Sequence, residues 1–479
     1  MPIKLILLVL APLIFLLFAM LHPLQASVEA NCMTGIVIWM AVWWFSECVH
    51  LAVTSLLPIV LIPLCGIADV KDVSEQYGNS IIFLFLGGFL ISIAIEKWDL
   101  HKRVARGVMK LTGNSITGVL AGIMLSTFLL SNWISNTATA LMLFGAILAL
   151  INELENALHK EDHQHLSAAL MLGMAYAASI GGMATPVGTP PNMYFFKAYP
   201  QFHQATTVSF VQWLMWFMPL SLIILTGCFF ILKFLFLDKL SVKEIPGDKM
   251  QIHKKFKWTY EEKIVSLVFG IAVFLWLTRD IQIKSIGIKG WKNLFEHSEF
   301  IDDSLVAIAS VILLFIIPSR KNKSEGILTW VDVKQLKYDI LLLFGGGFAL
   351  AYGFEKSGLM EYVMRQLSMV KDMHPLGLIF IIAITVTIVS EFASNIASVQ
   401  LALPVVAALS VHFSQEMTLK LMLPCVLSAS VGFMLPVATA PNTIAFGSGK
   451  VSLPGMYKAG FWLDVFSIFT ISIYCYFIL

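Results

Sequence analysis

The chain has 479 residues, of which 58% are hydrophobic and 13% charged, and its formal net charge is +2 at pH 7. This apolar fraction is too high and this charged fraction too low for a soluble globular domain, and a charge so close to zero gives no sign of a nucleic-acid partner. The composition predicts an all-α polytopic protein of the lipid bilayer, with no enzyme cofactor.

Apolar segments along the chain predict about 11 transmembrane helices. The predicted spans are about 4–21, 34–46, 49–66, 79–96, 166–197, 208–237, 262–278, 303–318, 338–355, 416–447 and 458–478. The first segment fits either a membrane span or a cleaved signal peptide, and its length favours a span. In both cases the chain next enters the membrane from outside.

Two further apolar stretches, 112–152 and 374–412, are too long for one crossing and contain Ser-Asn near the middle. Backbone that leaves the helix at membrane depth is tolerated only where protein or water covers it. We therefore predict two re-entrant helical hairpins, with tips at Ser135-Asn136-Thr137 and Ser394-Asn395-Ile396.

The hairpins belong to an internal repeat. Residue 394 follows residue 135 by 259 positions, and Gly346-Gly347-Phe348 follows Gly87-Gly88-Phe89 by the same number. After each hairpin comes a Pro-Asn segment, at 185–192 and again 250 positions later at 435–442. A lone Ser-Asn motif would favour plain close packing of helices, but two at matched positions favour the paired sites of a secondary transporter.

Basic residues in the loops predict the orientation. The loops 97–111 and 238–261 and the segment 320–337 are rich in Lys and Arg, and all three are cytoplasmic if the N-terminus is cytoplasmic. An odd number of crossings then separates the two copies, so the repeat is inverted and one hairpin enters from each side. The predicted units are 1–33 with the first helix, 34–237 as the first repeat, 238–261 as a cytoplasmic linker and 262–479 as the second repeat.

The predicted site has no fixed positive charge. No Lys or Arg lies in 126–150, 385–409, 173–196 or 428–447. Free N–H groups at interrupted helices attract anions and free carbonyls attract cations. An anion bound there needs a cation that travels with it, because an uncompensated charge at this depth is costly.

Several motifs together resemble the divalent anion/sodium symporter family of dicarboxylate, citrate and sulfate carriers. They are Trp43-Trp44-Phe45-Ser46-Glu47, the segment 51–58, the two Ser-Asn tips and the two Pro-Asn segments. The resemblance covers nearly all of the chain after the first span. It implies a sodium-coupled carrier that works as a homodimer by an elevator-type motion, most simply for a C4-dicarboxylate such as succinate in a bacterial inner membrane.

The resemblance also implies the site residues. One sodium ion would be held by Ser131, Ser135, Asn136 and Gly188, and a second by Ser390, Ala393, Asn395 and Ala438. The substrate would contact Ser135, Asn136, Thr137, Thr189, Pro190, Ser394, Asn395 and Thr439.

Some positions leave alternatives open. Ile396 stands where the family usually has Thr, so either Ser394, Asn395 and backbone amides suffice there or the substrate is not a typical dicarboxylate. Glu391 fits two roles, a hydrogen-bond acceptor that braces the hairpin or a participant in ion binding, and Glu47 is expected to brace a helix junction. His50 is expected to be a helix-end or packing residue, with a proton or substrate role as the alternative. Sulfate or tricarboxylate transport and sodium-independent anion exchange remain alternative functions.

Two other classes are less favoured. An intramembrane enzyme would need a nucleophile with a base or a His-Glu-x-x-His motif, and the chain has neither; the run from His159 to His165 is predicted to be a solvated polar loop. A channel would be expected to build its filter from a ring of subunits rather than from two opposed hairpins.

Overall fold

The computed structural model describes residues 2–113, 115–154, 159–201, 208–238, 240, 258–280, 282–283, 288–336, 338–366, 373–411 and 413–478. Most of the predicted linker 238–261 therefore lies outside the described residues.

The described chain is almost entirely helical. The helices of the first half are α1 (Pro2–Leu21), α2 (Val28–Ser46), α3 (Leu51–Thr54), α4 (Leu57–Leu64), α5 (Val70–Glu75), α6 (Ser80–Lys97), α7 (Leu100–Thr112), α8 (Ile116–Ser131), α9 (Asn136–Leu154), α10 (Lys160–Met183), α11 (Pro190–Ala198) and α12 (Phe210–Leu232). Those of the second half are α13 (Tyr260–Thr278), α14 (Asp303–Ile316), α15 (Tyr338–Lys356), α16 (Leu359–Gln366), α17 (Pro375–Phe392), α18 (Asn395–Ser410), α19 (Gln415–Ser428), α20 (Ala440–Gly447) and α21 (Leu453–Phe477). Two short antiparallel strands, β1 (Gln282–Ile283) and β2 (Ile288–Lys289), pair between α13 and α14.

The lengths of these helices are those of an integral membrane protein. Among the described residues, seven helical segments are long and apolar enough to cross a bilayer, and shorter apolar helices include both arms of the first predicted hairpin. The predicted span 49–66 is divided into α3 and α4. The predicted spans 166–197 and 416–447 are each interrupted, between α10 and α11 and between α19 and α20.

Both predicted hairpins form pairs of helices with short tips. Helices α8 and α9 are joined by residues 132–135, and α17 and α18 by residues 393–394. Each second arm begins with a serine N-cap: the Ser135 hydroxyl accepts the Ala138 N–H at 3.3 Å, and the Ser394 hydroxyl accepts the Ala397 N–H at 3.2 Å. The Ser-Asn motifs thus start helices because serine satisfies the first free amides.

The repeat is visible in the backbone. Helices α6 and α15 are each followed by a residue with positive φ, Asp99 at 57° and Gly358 at 75°, which lie 259 positions apart. The short helices α7 and α16 start directly afterwards and lead to the two hairpins. The matched turn therefore connects equivalent helices in both halves.

At the centre of the molecule, one helix of each half packs against the hairpin of the other half. Helix α11 packs against α18 and α19, whereas α20 packs against α9 and α10. Each interrupted helix therefore begins beside one hairpin and ends beside the other. This crossing brings the two tips and the two Pro-Asn segments into one region.

The prediction of a loop for the histidine run is wrong. Helix α10 starts at Lys160, and His163 is buried with its ring Nε2 2.8 Å from the Ile151 carbonyl oxygen. The run is therefore the start of a helix rather than a loop, and His163 packs it against α9, whereas residues 159–161 and 164 are exposed to solvent as predicted.

Candidate binding site between the hairpin tips

A cavity of about 560 Å³ lies between the tips. It is lined by all eight residues predicted to contact the substrate: Ser135, Asn136, Thr137, Thr189, Pro190, Ser394, Asn395 and Thr439. The same cavity reaches Phe89 on α6, Ile340 on α15 and the end of α2 at Trp44 to Glu47. It therefore extends from the tips along the surface between the hairpins and the other helices.

Four helices begin at this cavity. Helices α9, α11, α18 and α20 start at Asn136, Pro190, Asn395 and Ala440, and all four of these residues line it. A helix N-terminus carries a partial positive charge and unpaired N–H groups. Four of them directed at one space favour the binding of an anion there.

The helices that end near the tips present the opposite charge. Helix α8 ends at Ser131 and α17 at Phe392, and the carbonyl ends of helices favour cations. In the first half, the Ser131 hydroxyl lies 2.8 Å from Asn136 Oδ1 and 2.6 Å from the Ala178 carbonyl oxygen. Three oxygen atoms from the hairpin and from α10 thus meet behind the first tip.

The second half repeats this arrangement. The Ser390 hydroxyl lies 3.0 Å from Asn395 Oδ1 and 2.7 Å from the Ala429 carbonyl oxygen. Ser390 is fully buried, as is Ser131. Neutral oxygens from a hydroxyl, an amide and a carbonyl are ligands that suit a hard monovalent cation, and the two halves supply matching sets.

The remaining predicted ion-site residues lie beside these sets. Gly188 approaches Gly182, which in turn contacts the Asn136 side chain. In the second half Ala438 approaches Gly432, which lies against Ser390. Ala393 and Ala438 line the cavity as well. Each predicted set of ion ligands is therefore brought together within one half of the molecule.

Buried asparagines hold the two Pro-Asn segments in place. The Asn192 amide donates to the carbonyl oxygens of Gly182 at 3.0 Å and Thr185 at 2.8 Å. The Asn442 amide donates to the carbonyl oxygens of Gly432 and Leu435, both at 3.0 Å. Each asparagine closes the break between two helices, because it bonds backbone carbonyls that the interrupted helix leaves free.

The cavity carries almost no fixed charge. Among the described residues that line it, none is Lys, Arg or His, and Glu47 is the one ionisable side chain. Glu47 ends α2 with φ at 46°, and His50 caps α3 through its ring Nδ1, so both stand at helix ends. An anion in this cavity would be held by helix ends, hydroxyls and amides, and needs a cation nearby for balance.

Sequence reasoning missed several lining residues. Phe89, Ile340, Phe392, Val437 and Thr443 face the cavity, and single apolar residues or a threonine in apolar helices give no pattern that marks them. Ile396, the departure from the family pattern, does line the cavity. Glu391 is buried and accepts the N–H groups of Met434 and Leu435, both at 2.9 Å, which is the bracing role.

Secondary transporters are built from paired hairpins and interrupted helices around a central cavity, and this is the class of protein that the fold and the cavity define.

Comparison with known proteins gives the family. The family model described as "Sodium:sulfate symporter transmembrane region" matches residues 3–478. The chain is 37% identical over 481 residues to the sodium-dependent dicarboxylate transporter SdcS of Staphylococcus saprophyticus, covering 98% of this chain and 90% of that protein. SdcS of Staphylococcus aureus strain bovine RF122 is also 37% identical, over 99% of this chain and 91% of that protein. The chain belongs to the sodium:sulfate symporter family, as its motifs predicted.

Solved structures agree with the fold. The YdaH transporter of Alcanivorax borkumensis aligns with a TM-score of 0.57 at 13% identity, over 85% of this chain and 87% of that one. MtrF of Neisseria gonorrhoeae aligns with a TM-score of 0.52 at 13% identity, over 85% and 83%. At this identity the likeness concerns the fold alone, and both neighbours are membrane transport proteins by description.

Proposed function

We propose that this protein is a secondary active transporter that moves a C4-dicarboxylate, such as succinate, together with sodium ions across a bacterial plasma membrane. The observation that carries the proposal is a cavity lined by four helix N-termini but no basic side chain among the described residues. Its relatives SdcS are sodium-dependent dicarboxylate transporters by name, which favours this substrate class.

Two sodium ions would occupy the matched oxygen sets behind the tips. The first would be bound by Ser131, Ser135, Asn136 and Gly188. The second would be bound by Ser390, Ala393, Asn395 and Ala438. The substrate carboxylates would then lie between the tips, near both ions, so that ion and substrate stabilise each other in a site that neither occupies well alone.

The proposed topology places the N-terminus in the cytoplasm. Lys97 pairs with Asp332 at 2.7 Å and Arg103 with Glu262 at 2.7 Å, so the basic segments after α6 and after α14 lie at the same end of the molecule. This end is cytoplasmic by the positive-inside rule. The repeat would then be inverted, with the units 34–237 and 262–479, and the cavity would open toward the cytoplasm past Glu47 and Ile340.

Transport would proceed by alternating access. The two hairpins with α10, α11, α19 and α20 would move as one unit against the remaining helices, in an elevator-type motion across the membrane. Two copies of the chain would form a homodimer. A sulfate or tricarboxylate substrate is an alternative, because Ile396 replaces the family's usual threonine and so removes a hydroxyl from one side of the cavity.

The test is uptake of labelled succinate into proteoliposomes under an inward sodium gradient, with choline as the control cation. We expect uptake with sodium, little with choline, and inhibition by unlabelled malate. Uptake that is equal in choline would contradict the proposal. Sodium-driven uptake that is blocked by sulfate or citrate but not by malate would retain the mechanism and correct the substrate.

A further inference from the structure

The two interrupted helices differ in the length of the break. Helix α10 continues to Met183 and α11 is capped by Thr189, so the first break covers residues 184–189. Helix α19 ends at Ser428 and α20 is capped by Thr439, so the second break covers residues 429–439. The second half thus leaves more backbone N–H groups without a helical partner.

Two carboxyl groups accept three of the amides in the second break, of which Phe433 lies in its additional length. The Phe433 N–H donates to Asp464 Oδ1 at 3.2 Å, and the next two amides, of Met434 and Leu435, donate to the two oxygens of Glu391 at 2.9 Å. Three consecutive N–H groups are therefore held by two acidic side chains from α17 and α21.

These three hydrogen bonds from the amides of residues 433–435 to Asp464 and Glu391, here called the clamp, are deeply buried. Glu391 is 0% exposed and Asp464 3%. The fully buried Tyr176 completes the clamp from α10, because its hydroxyl donates to the Phe433 carbonyl oxygen at 2.9 Å. Charged hydrogen bonds to backbone amides are among the stronger ones in proteins, so the segment that leads to Ala438 and Thr439 is fixed in one conformation.

The other oxygen of Asp464, Oδ2, has no hydrogen-bond partner among the described residues. The carboxyl groups of Asp464 and Glu391 are close enough to interact with each other. The two acidic side chains therefore form one connected group around the amides of residues 433–435.

Within the described part of the first half, no pair of acidic side chains holds the break in this way. Helices α12 and α21 are equivalent, since each begins with a serine cap, Ser209 and Ser452, which lie 243 positions apart. At the same spacing, the residue that matches Asp464 is Ser221. Ser221 is buried and its hydroxyl has no hydrogen-bond partner among the described residues. The first break is held instead by Thr185, whose hydroxyl donates to the Asn132 carbonyl and accepts the Gly188 N–H.

We propose that Asp464, acting through Glu391 and the amides of residues 433–435, is a positioning residue for the second sodium site. It holds the longer break in the shape that presents Ala438 beside Ser390 and Asn395. At the first sodium site, Ser221 stands at the position of Asp464, and Thr185 holds the break instead. This inference rests on the proposed function, because it assigns a role at one of the proposed ion sites.

The experiment compares variants by the thermal stability of the purified full-length protein as sodium replaces choline. This readout needs no knowledge of the substrate. Asp464→Leu removes the acceptor for Phe433 and is expected to raise the half-saturating sodium concentration on the order of tenfold, the cost of about one lost buried hydrogen bond. Asp464→Asn keeps Oδ1 as the acceptor of the Phe433 N–H and has nearly the same volume, so it is expected to give a response close to that of the wild type.

The matched control is Ser221→Ala, which is expected to leave the sodium response unchanged. If Asp464→Leu does not fold, Glu391→Gln takes its place, because it removes one of the two amide acceptors and keeps the volume. The same variants are then assayed for uptake at saturating succinate, where a rise in half-saturating sodium with little change in maximal rate is expected.

Three results would overturn the inference. The first is a wild-type sodium response in Asp464→Leu and Glu391→Gln. The second is equal impairment in Asp464→Asn and Asp464→Leu, and the third is a loss of maximal rate without a change in half-saturating sodium. A wild-type protein that is stabilised equally by sodium and choline would instead contradict the proposed function, and this inference with it.

Discussion

The two hairpin tips are close copies, whereas the segments that face them have diverged. The hydroxyls of Ser131 and Ser390 have the same two neighbours within hydrogen-bond distance, the amide oxygen of the tip asparagine and a carbonyl oxygen of the neighbouring helix. The facing breaks differ in length and in the groups that hold them. The oxygen atoms at the tips are therefore arranged alike in both halves, whereas the side chains that hold each break differ between them.

The largest effect is expected for the asparagine that both hairpin tips contain. Asn136→Ala and Asn395→Ala each remove an amide that lines the cavity and bonds the buried serine behind it. We expect both variants to abolish sodium-driven uptake while they still elute as folded protein in size-exclusion chromatography. Asn322→Ala, at an exposed position outside the cavity, is the control and is expected to transport normally. Normal uptake by both tip variants would show that the tips do not form the site.

The next effect tests the difference between the breaks. A Cβ atom on Gly188 would lie 2.6 Å from the Gly182 carbonyl oxygen, whereas the second half accommodates alanine at the matched position, Ala438. Gly188→Ala is therefore expected to destabilise the protein by about 1–3 kcal/mol through overpacking, and Ala438→Gly to cost less. Melting temperature and maximal uptake rate measure both. Equal tolerance of the two substitutions would show that the breaks have the same packing.

A smaller effect tests the third position of each tip. Thr137→Ile would give the first tip the apolar residue of the second, and Ile396→Thr would restore the missing hydroxyl. One neutral hydrogen bond contributes about 1 kcal/mol, so we expect affinities for succinate, citrate and sulfate to change by roughly fivefold relative to one another. Competition assays at fixed sodium measure this. Inhibition profiles identical to the wild type would mean that these side chains do not touch the substrate.

The smallest expected effect on transport concerns the matched turns. Gly358 has φ at 75°, where a side chain costs about 1–2 kcal/mol, whereas Asp99 already accepts this conformation in the first half. Gly358→Ala is expected to lower the melting temperature slightly, and Asp99→Gly to leave it nearly unchanged. Uptake should persist in both, because neither residue lines the cavity. A larger destabilisation by Asp99→Gly than by Gly358→Ala would reverse the comparison.

Much of this construction could be predicted from the sequence because the repeat spacing is regular. Two Ser-Asn tips and two Pro-Asn segments at matched positions are enough to place the residues that the structure gathers around one cavity. The unequal breaks could not be predicted, since the end of α19 depends on acceptors supplied by Glu391 and Asp464 from distant segments. A single aspartate in the apolar helix α21 was the available signal for the clamp, because an intramembrane acid requires a partner.

A cavity without basic side chains among its described lining residues is expected to bind an anion only together with a cation. Isothermal titration calorimetry of succinate into the purified protein, in sodium chloride and in choline chloride at equal ionic strength, measures whether it does. We expect a saturable binding heat in sodium and none in choline. Binding with the same affinity in both salts would show that the cavity holds the anion without a cation.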